Sequence, residues 1–173
     1  IYNLREKSNE HYIFNNHFAD PNHIDMLEGL DQIKHGDAKS INELITFLKD
    51  NPLQDEINYK KVSERIDIEE FINYMLAQIY CANADWPSNN VRYWRERKTN
   101  SKWRWILYDT DLGFGLHEEG YTTNMFFRIT ELYQNPEWIT PNTVIIFMEL
   151  MKSSLFREKF SQEFQKQLNN RYS

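Results

Sequence analysis

Residues 83–115 read NADWPSNNVRYWRERKTNSKWRWILYDTDLGFG, and this stretch organises the chain. An acidic, amide-rich loop is followed by a basic aromatic segment and then by a second acidic loop. Within the aromatic segment, residues 91–95 and 102–108 alternate in polarity on either side of a turn at 98–101, which predicts an antiparallel β-hairpin. Because a hairpin brings its two ends together, we expect the two acidic loops to face each other.

The segments that flank this stretch predict helices, so the fold class is α+β and mostly helical. Ser40 and Asp67 each start a capping-box pattern, in which a Glu follows three residues later, and we expect helices to begin at both positions. The helix after Asp67 has the clearest apolar stripe, which recurs every three or four residues up to about Ala82. A shorter helix is expected at 55–65, and three more follow. The first begins near Met125, the second is capped by Thr140 with Pro141 as its first helical residue, and the third is capped by Ser154.

Two other segments carry weaker patterns. Residues 1–38 have a polar start and aromatic patches, and only residues 24–30 predict a short strand or helix. Residues 117–120, which follow the second acidic loop, are polar enough to predict a mobile or substrate-facing loop.

Composition limits the classes of function that the chain can have. Its 173 residues, 40% of them hydrophobic, are enough for one domain with a full core, here residues 1–173. The net charge of -6 argues against a general nucleic-acid binder. The single cysteine, Cys81, excludes an internal disulfide framework and a Cys-rich zinc site. No apolar run of about 18 residues is present, so no membrane span is expected in these residues.

The two acidic loops contain the residue types that phosphoryl transfer requires. That reaction needs a carboxylate to take the proton of the acceptor hydroxyl, and a carboxylate and an amide to hold magnesium. Asp85 and Asn90 are five residues apart, as are the base and the metal-binding Asn of kinase catalytic loops. Asp111, two residues before Gly113, matches the second metal-binding Asp of kinases, and Asp109 lies two residues earlier. Oxygen ligands of this kind favour magnesium over zinc.

Each loop also has a purely structural interpretation. Asp, Asn and Pro are common turn formers, so residues 85–90 alone are more typical of a loop than of a catalytic site. An Asp-x-Asp pair at the end of a strand is likewise often a cap or a surface turn. The two loops together, with a hairpin between them, favour a functional site.

Residues 84–95, ADWPSNNVRYWR, and residues 102–115, KWRWILYDTDLGFG, closely resemble the CotH family, spore coat protein H and its relatives. The likeness is strong from about Asp67 to Phe164 and weaker back to Met26. Members of that family are atypical kinases with a two-lobed protein-kinase-like fold that use ATP and magnesium to phosphorylate serine residues of proteins. The resemblance implies that this chain is the helical C-terminal lobe, that its partner is a spore coat or surface protein, and that its setting is the cell envelope, the outside of the cell or the spore.

The resemblance also assigns roles to residues. Asp85 is implied as the catalytic base and Asn90 as a metal ligand. Kinase spacing favours Asp111 as the second metal ligand, whereas alignment with the family favours Asp109. We favour Asp109 as the metal ligand, with Asp111 assisting or bonding the loop backbone, and we expect both in the site. Arg92 lies directly beside the first loop and is the hairpin cation that we expect to contact the nucleotide. The other basic residues of the hairpin are expected on a solvated strand face.

A phosphate-binding element is missing from the sequence. No glycine-rich loop precedes Asp85, and neither Lys7 nor Lys34 lies in a convincing nucleotide-binding strand. We therefore expect most of the nucleotide-clamping lobe to lie upstream, with residues 1–38 as its remnant or as the connection between lobes. Residues 1–173 alone are expected to be inactive or very weak.

Two further classes of function remain open from the sequence. One is a non-catalytic surface, spore-coat or adhesion module that retains the fold. The other is a metal-dependent hydrolase whose carboxylates act on water. Neither the compartment nor the identity of the substrate protein can be read from these residues.

Overall fold

The structure is a computed structural model that describes residues 6–116, 122–135 and 137–170. These residues form an α+β fold, as the sequence predicts, in which helices pack against one four-stranded antiparallel sheet. The loop predicted at 117–120 lies outside the described residues. The helices are α1 (Glu10–His17), α2 (Lys39–Asp50), α3 (Glu56–Ser63), α4 (Ile68–Cys81), α5 (Met125–Gln134), α6 (Asn142–Leu150) and α7 (Ser154–Asn170). The strands are β1 (Ile24–Glu28), β2 (Gln32–His35), β3 (Arg92–Glu96) and β4 (Arg104–Ile106), in the spatial order β2-β1-β3-β4.

The predicted hairpin is confirmed as the antiparallel pair β3–β4. Trp103 and Trp105 face the main core and are both buried, as their period-two spacing predicts. The opposite face is buried as well, because Trp94 and Ile106 form a second apolar cluster with residues of α1. Leu107, predicted to share the face of the two tryptophans, is 50% exposed because β4 ends before it.

A second hairpin, β1–β2, extends the sheet. The sequence predicts one short element in this region, whereas the structure has a central strand, β1, paired with both β2 and β3. Asp25 of β1 is fully buried, and its carboxylate lies 3.0 Å from Arg95 Nε and 3.7 Å from Arg97 Nε. β2 gives no alternating signal because it is a short edge strand whose residues are mostly exposed.

The helix caps agree with the sequence only in part. Asp67 caps α4 as predicted, since its Oδ1 accepts a hydrogen bond from the Glu70 N–H at 3.3 Å. The predicted Ser40 cap is wrong, because α2 begins at Lys39, whose N–H donates to Asp37 Oδ1 at 2.8 Å. The side-chain acceptor at the start of α2 is therefore Asp37, three residues before Ser40, and the capping-box pattern pointed to the wrong residue.

The starts of the last two helices also differ from the prediction, since α6 begins one residue later and α7 one residue earlier. α6 starts at Asn142, so Pro141 occupies the cap position instead of the first helical position. The cap comes from a distant residue: Asp31, in the β1–β2 turn, accepts from the Asn142 N–H at 3.1 Å and from the Tyr93 hydroxyl at 2.8 Å. A cap such as Asp31, which comes from another part of the chain, leaves no local signal in the sequence. The predicted Ser154 cap is also wrong, because Ser154 is the first residue of α7.

Helix α4 packs against the β3–β4 hairpin and carries the first acidic loop at its C-terminal end. The Phe71 and Trp105 ring centroids are 4.4 Å apart. Trp86, in the loop, is completely buried, and its Nε1 donates to the Tyr74 hydroxyl at 3.0 Å. The peptide bond between Trp86 and Pro87 is cis. The loop is therefore anchored to the helix by a buried aromatic side chain.

None of the helices within the described ranges is long and apolar enough to cross a lipid bilayer.

We predict that Asp67→Ala lowers the free energy of unfolding by about 1 kcal/mol, because the first turn of α4 loses its side-chain acceptor. Ser40→Ala is the matched control. Since Ser40 does not cap α2, this change should alter stability by less than about 0.5 kcal/mol. Urea unfolding measures both effects, and equal losses in the two variants would contradict these cap assignments.

Candidate active site

The first acidic loop starts where α4 ends. Ala82 has left-handed dihedral angles, φ 49° and ψ 49°, which end the helix and turn the chain. Asn83 is fully buried, and its Nδ2 donates to Gln78 Oε1 at 3.0 Å and to the Asp109 backbone carbonyl at 3.3 Å. Its Oδ1 accepts from the Asp85 N–H at 3.3 Å. Asn83 therefore joins the first loop to α4 and to the second loop.

Asn90 makes the closest link between the two loops. Its Nδ2 donates to Asp85 Oδ2 at 3.4 Å and to the Asp109 backbone carbonyl at 3.0 Å. Asn90 and Asp109 have positive φ values of 55° and 54°, a conformation that Asn and Asp adopt more readily than most residues. The two loops thus meet, as the hairpin predicts.

Backbone hydrogen bonds hold the second loop against the end of α4. The Phe114 N–H donates to the Cys81 carbonyl at 2.6 Å, and the Ala84 N–H donates to the Leu112 carbonyl at 3.1 Å. Gly113 lies between these bonds, and a Cβ atom added there would be 2.9 Å from the Cys81 carbonyl oxygen. A glycine at this position permits the close contact between loop and helix.

A cavity of about 500 Å³ opens in front of the two loops. Asp85, Asn90 and Asp109 line it, together with Lys34 of β2. Asp111 does not line this cavity and lies on an exposed turn. The geometry therefore brings together three of the predicted site residues and favours Asp109 over Asp111 as the second acidic residue.

Lys34 is a cavity residue that sequence reasoning passed over. It lies on a strand after all, and its Nζ is 2.8 Å from Glu28 Oε2 on the neighbouring strand β1. The Tyr108 hydroxyl also donates to Glu28, at 3.2 Å. These residues are brought together only by the pairing of β1 with β2 and β3. No local pattern in the sequence identifies them.

Arg92 is predicted to contact the nucleotide. It lies next to the cavity that Asp85, Asn90 and Asp109 line, but it does not line that cavity itself. Its guanidinium contacts Glu28 and both the backbone carbonyl and the hydroxyl of Ser8, and it lies 4.8 Å from the centre of the Tyr108 ring. Together with Lys34 it lines an adjoining cavity of about 180 Å³. The two cavities share Glu28 and Lys34 as their common wall.

The ionisation of this group follows from its contacts. Burial opposes ionisation of Glu28, but hydrogen bonds and charges from Lys34 and Arg92 outweigh that effect and lower the pKa of Glu28. Burial raises the pKa of Tyr108 to about 12, with the Arg92 charge opposing the rise. At neutral pH Glu28 is therefore an anion and Tyr108 is a neutral hydroxyl.

Two residues of the cavity that contains Asp85, namely Asn90 and Asp109, fit a magnesium ion that takes the rest of its coordination from phosphate and water. Magnesium commonly binds through one or two protein carboxylates, with phosphate and water oxygens as its remaining ligands. The Asn90 amide oxygen and the Asp109 carboxylate are donors of this type. Among the residues that the structure describes, no group of three or more His, Cys, Asp or Glu forms a candidate metal cluster. Two protein donors would leave the remaining coordination positions of the ion to phosphate and water oxygens.

One more charged residue faces the first loop. Arg128 of α5 lies close enough to Asp85 for their charges to interact. Burial lowers the pKa of Arg128, and the Asp85 carboxylate opposes that shift. The sequence gives no reason to select Arg128, since α5 is separated from the first loop by the whole hairpin and the second loop.

These features define an α+β protein whose two acidic loops, joined by a hairpin, meet at one cavity. The family model described as CotH kinase protein matches residues 1–173. The chain therefore belongs to the CotH kinase family, which confirms the resemblance seen in the two loops. No curated protein and no solved structure gives a significant match to the chain.

We predict that Asn83→Ala lowers the free energy of unfolding by about 1 to 3 kcal/mol, because the buried Gln78 Oε1 loses its donor and the Asp109 carbonyl keeps only the hydrogen bond from Asn90. Asn89→Ala removes an exposed Asn from the same loop and is the control, with an expected change below about 0.5 kcal/mol. Urea unfolding compares them. An Asn83→Ala variant as stable as Asn89→Ala would show that Asn83 does not hold the loops together.

Proposed function

We propose that this chain carries the catalytic and magnesium-binding part of a protein kinase, which transfers the γ-phosphoryl group of ATP to a serine or threonine hydroxyl of a protein. Membership of the CotH kinase family supports a kinase-like function. The observation that carries the proposal is the pair of hydrogen bonds from Asn90, which places the Asp85 carboxylate beside the second acidic loop. The spacing of Asp85 and Asn90 adds the layout of a kinase catalytic loop.

In this proposal Asp85 is the catalytic base. Its carboxylate lines the cavity and is oriented by the hydrogen bond from Asn90. The acceptor hydroxyl oxygen forms a bond to the γ-phosphorus, and the bond from that phosphorus to the β–γ bridging oxygen breaks. The hydroxyl proton passes to Asp85, and ADP leaves with the electron pair of the broken bond.

Asn90 and Asp109 would hold the magnesium ion, through an amide oxygen and a carboxylate. Magnesium, when bound, neutralises charge that develops on the phosphate oxygens. Asp109 is preferred to Asp111 because it lines the cavity and because two amide groups fix its backbone carbonyl. Asp111 follows on the exposed turn, where it would assist from outside the cavity.

Lys34 and Arg92 supply positive charge at or next to the cavity. Lys34 lines the cavity directly, and Arg92 lies behind it with Glu28 between the two cations. Since Glu28 is an anion paired with both cations, the three residues carry one net positive charge, which would attract a triphosphate in the cavity. The direct contact between Arg92 and the nucleotide stays a prediction.

We predict that Asp85→Asn in the full-length protein slows ATP-dependent phosphate transfer to protein by about 10²- to 10⁴-fold, because the amide cannot take the hydroxyl proton. Transfer of labelled phosphate from ATP is the measurement. Asp50→Asn, which changes an exposed carboxylate at the end of α2, is the control and should keep full activity. Labelling unaffected by Asp85→Asn would rule out Asp85 as the base.

The same assay separates the other functions. Release of inorganic phosphate without labelled protein would identify a hydrolase. A non-catalytic adhesion module would show no labelling in the unmodified protein and would keep its adhesion after Asp85→Asn.

We also predict that the two acidic residues of the second loop differ in their effect on magnesium. Asp109→Asn should raise the magnesium concentration needed for half-maximal rate by about tenfold or more, whereas Asp111→Asn should raise it by less than about threefold. The rate is measured against magnesium concentration at saturating ATP. The opposite order would make Asp111 the principal ligand.

A further inference from the structure

A third and larger cavity lies beside the cavity lined by Asp85, Asn90 and Asp109, which we call the acidic cavity. It has a volume of about 830 Å³ and runs between α5 and residues 137–139. Leu30 and Ser88 line both this groove and the cavity that contains Asp85. Since Ser88 is only three residues after Asp85, the groove and the candidate base are separated by a single turn of loop.

Large apolar side chains are concentrated and exposed in this groove. Phe127 is 62% exposed, Trp138 is 52% exposed and Ile139 is 72% exposed. A single exposed apolar residue needs no explanation, but several that line one concave surface are typical of a binding site. Leu30, on the shared wall, is 43% exposed and extends the apolar surface toward the first loop.

The groove also has polar groups that suit a polypeptide. Arg128 lies on the groove wall, and Glu131 and Glu137 line it as well. A guanidinium donates hydrogen bonds and carboxylates accept them, so together they match the carbonyl and N–H groups of an extended chain. Arg128 is in addition near enough to Asp85 for their charges to interact, which connects the groove electrostatically to the candidate base.

We propose that this groove binds the acceptor polypeptide, and that a bulky apolar side chain close to the acceptor hydroxyl contacts Phe127, Trp138 and Ile139. The inference rests on the proposed kinase function and adds to it the kind of acceptor sequence that the site selects. A segment in the groove passes Ser88 on its way to Asp85, so the apolar residue lies a few positions from the phosphorylated serine or threonine. The nucleotide occupies the other side of the wall formed by Leu30 and Ser88.

The test uses the full-length protein and two serine peptides that differ only in a leucine or a serine placed near the acceptor. The KM of the leucine peptide should be about tenfold lower than that of the serine peptide. A hydrophobic pocket typically discriminates by about 10- to 200-fold between substrates that differ in one apolar group. Ile139→Ser should raise the KM of the leucine peptide by about tenfold and leave the KM of ATP within about twofold. Ile57→Ser is the matched control, because Ile57 is a 66% exposed isoleucine on α3 that does not line the groove.

The outcomes separate this inference from the proposed function. If peptides are labelled but Ile139→Ser behaves like Ile57→Ser, the kinase function stands and the groove is not the acceptor site. An increase in the KM of ATP with Ile139→Ser would mean that the groove binds nucleotide, which also overturns the inference. If the unmodified full-length protein labels no acceptor, the proposed function fails, and the groove inference fails with it.

Discussion

The backbone carbonyl of Asp109 is the point on which the site depends, because two side-chain amides donate to it from the other loop. Asn83 and Asn90 approach this oxygen at 3.3 and 3.0 Å, and Asn90 also donates to the Asp85 carboxylate. Asn90 therefore joins the two acidic loops through one side chain, and Asn83 links both of them to the end of α4. In the proposed function, a magnesium ion held by Asn90 and Asp109 would add a further link between the loops.

Such a site is held in place by the packing around it. Asn90 and Asp109 both have left-handed backbone conformations, which cost on the order of 1 kcal/mol each for residues other than glycine. The cost is offset by buried contacts just outside the site, where Trp86 packs against α4 and Phe71 packs against Trp105 of the hairpin. Because both faces of the hairpin are buried, it cannot shift without disturbing two apolar clusters.

Elements with local patterns were predictable from the sequence, and those set by distant contacts were not. The α4 stripe, the Asp67 cap and the β3–β4 hairpin depend on neighbours within a few residues, so spacing and polarity identify them. β2, with its four mostly exposed residues, has no such pattern, and Lys34 could not be assigned to the site without it. For the same reason, spacing alone could not choose between Asp109 and Asp111. The choice depends on which of them faces the cavity, and that is a property of the folded loop.

The β1–β2 hairpin, for which the sequence predicts only one short element, also separates the acidic cavity from the apolar groove. Its turn places Leu30 on the wall between the acidic cavity and the apolar groove, while its second strand carries Lys34 into the acidic cavity. Asp31, in the same turn, accepts hydrogen bonds from Tyr93 of the sheet and from the first residue of α6, so the wall is fixed at both ends. Burial raises the pKa of Asp31, and the hydrogen bonds from Tyr93 and Asn142 oppose that rise. In the proposed kinase, a charged donor and a polypeptide acceptor would lie in different surroundings and still meet at one atom. The short, well-anchored turn between the polar cavity and the apolar groove would meet that requirement with very few residues.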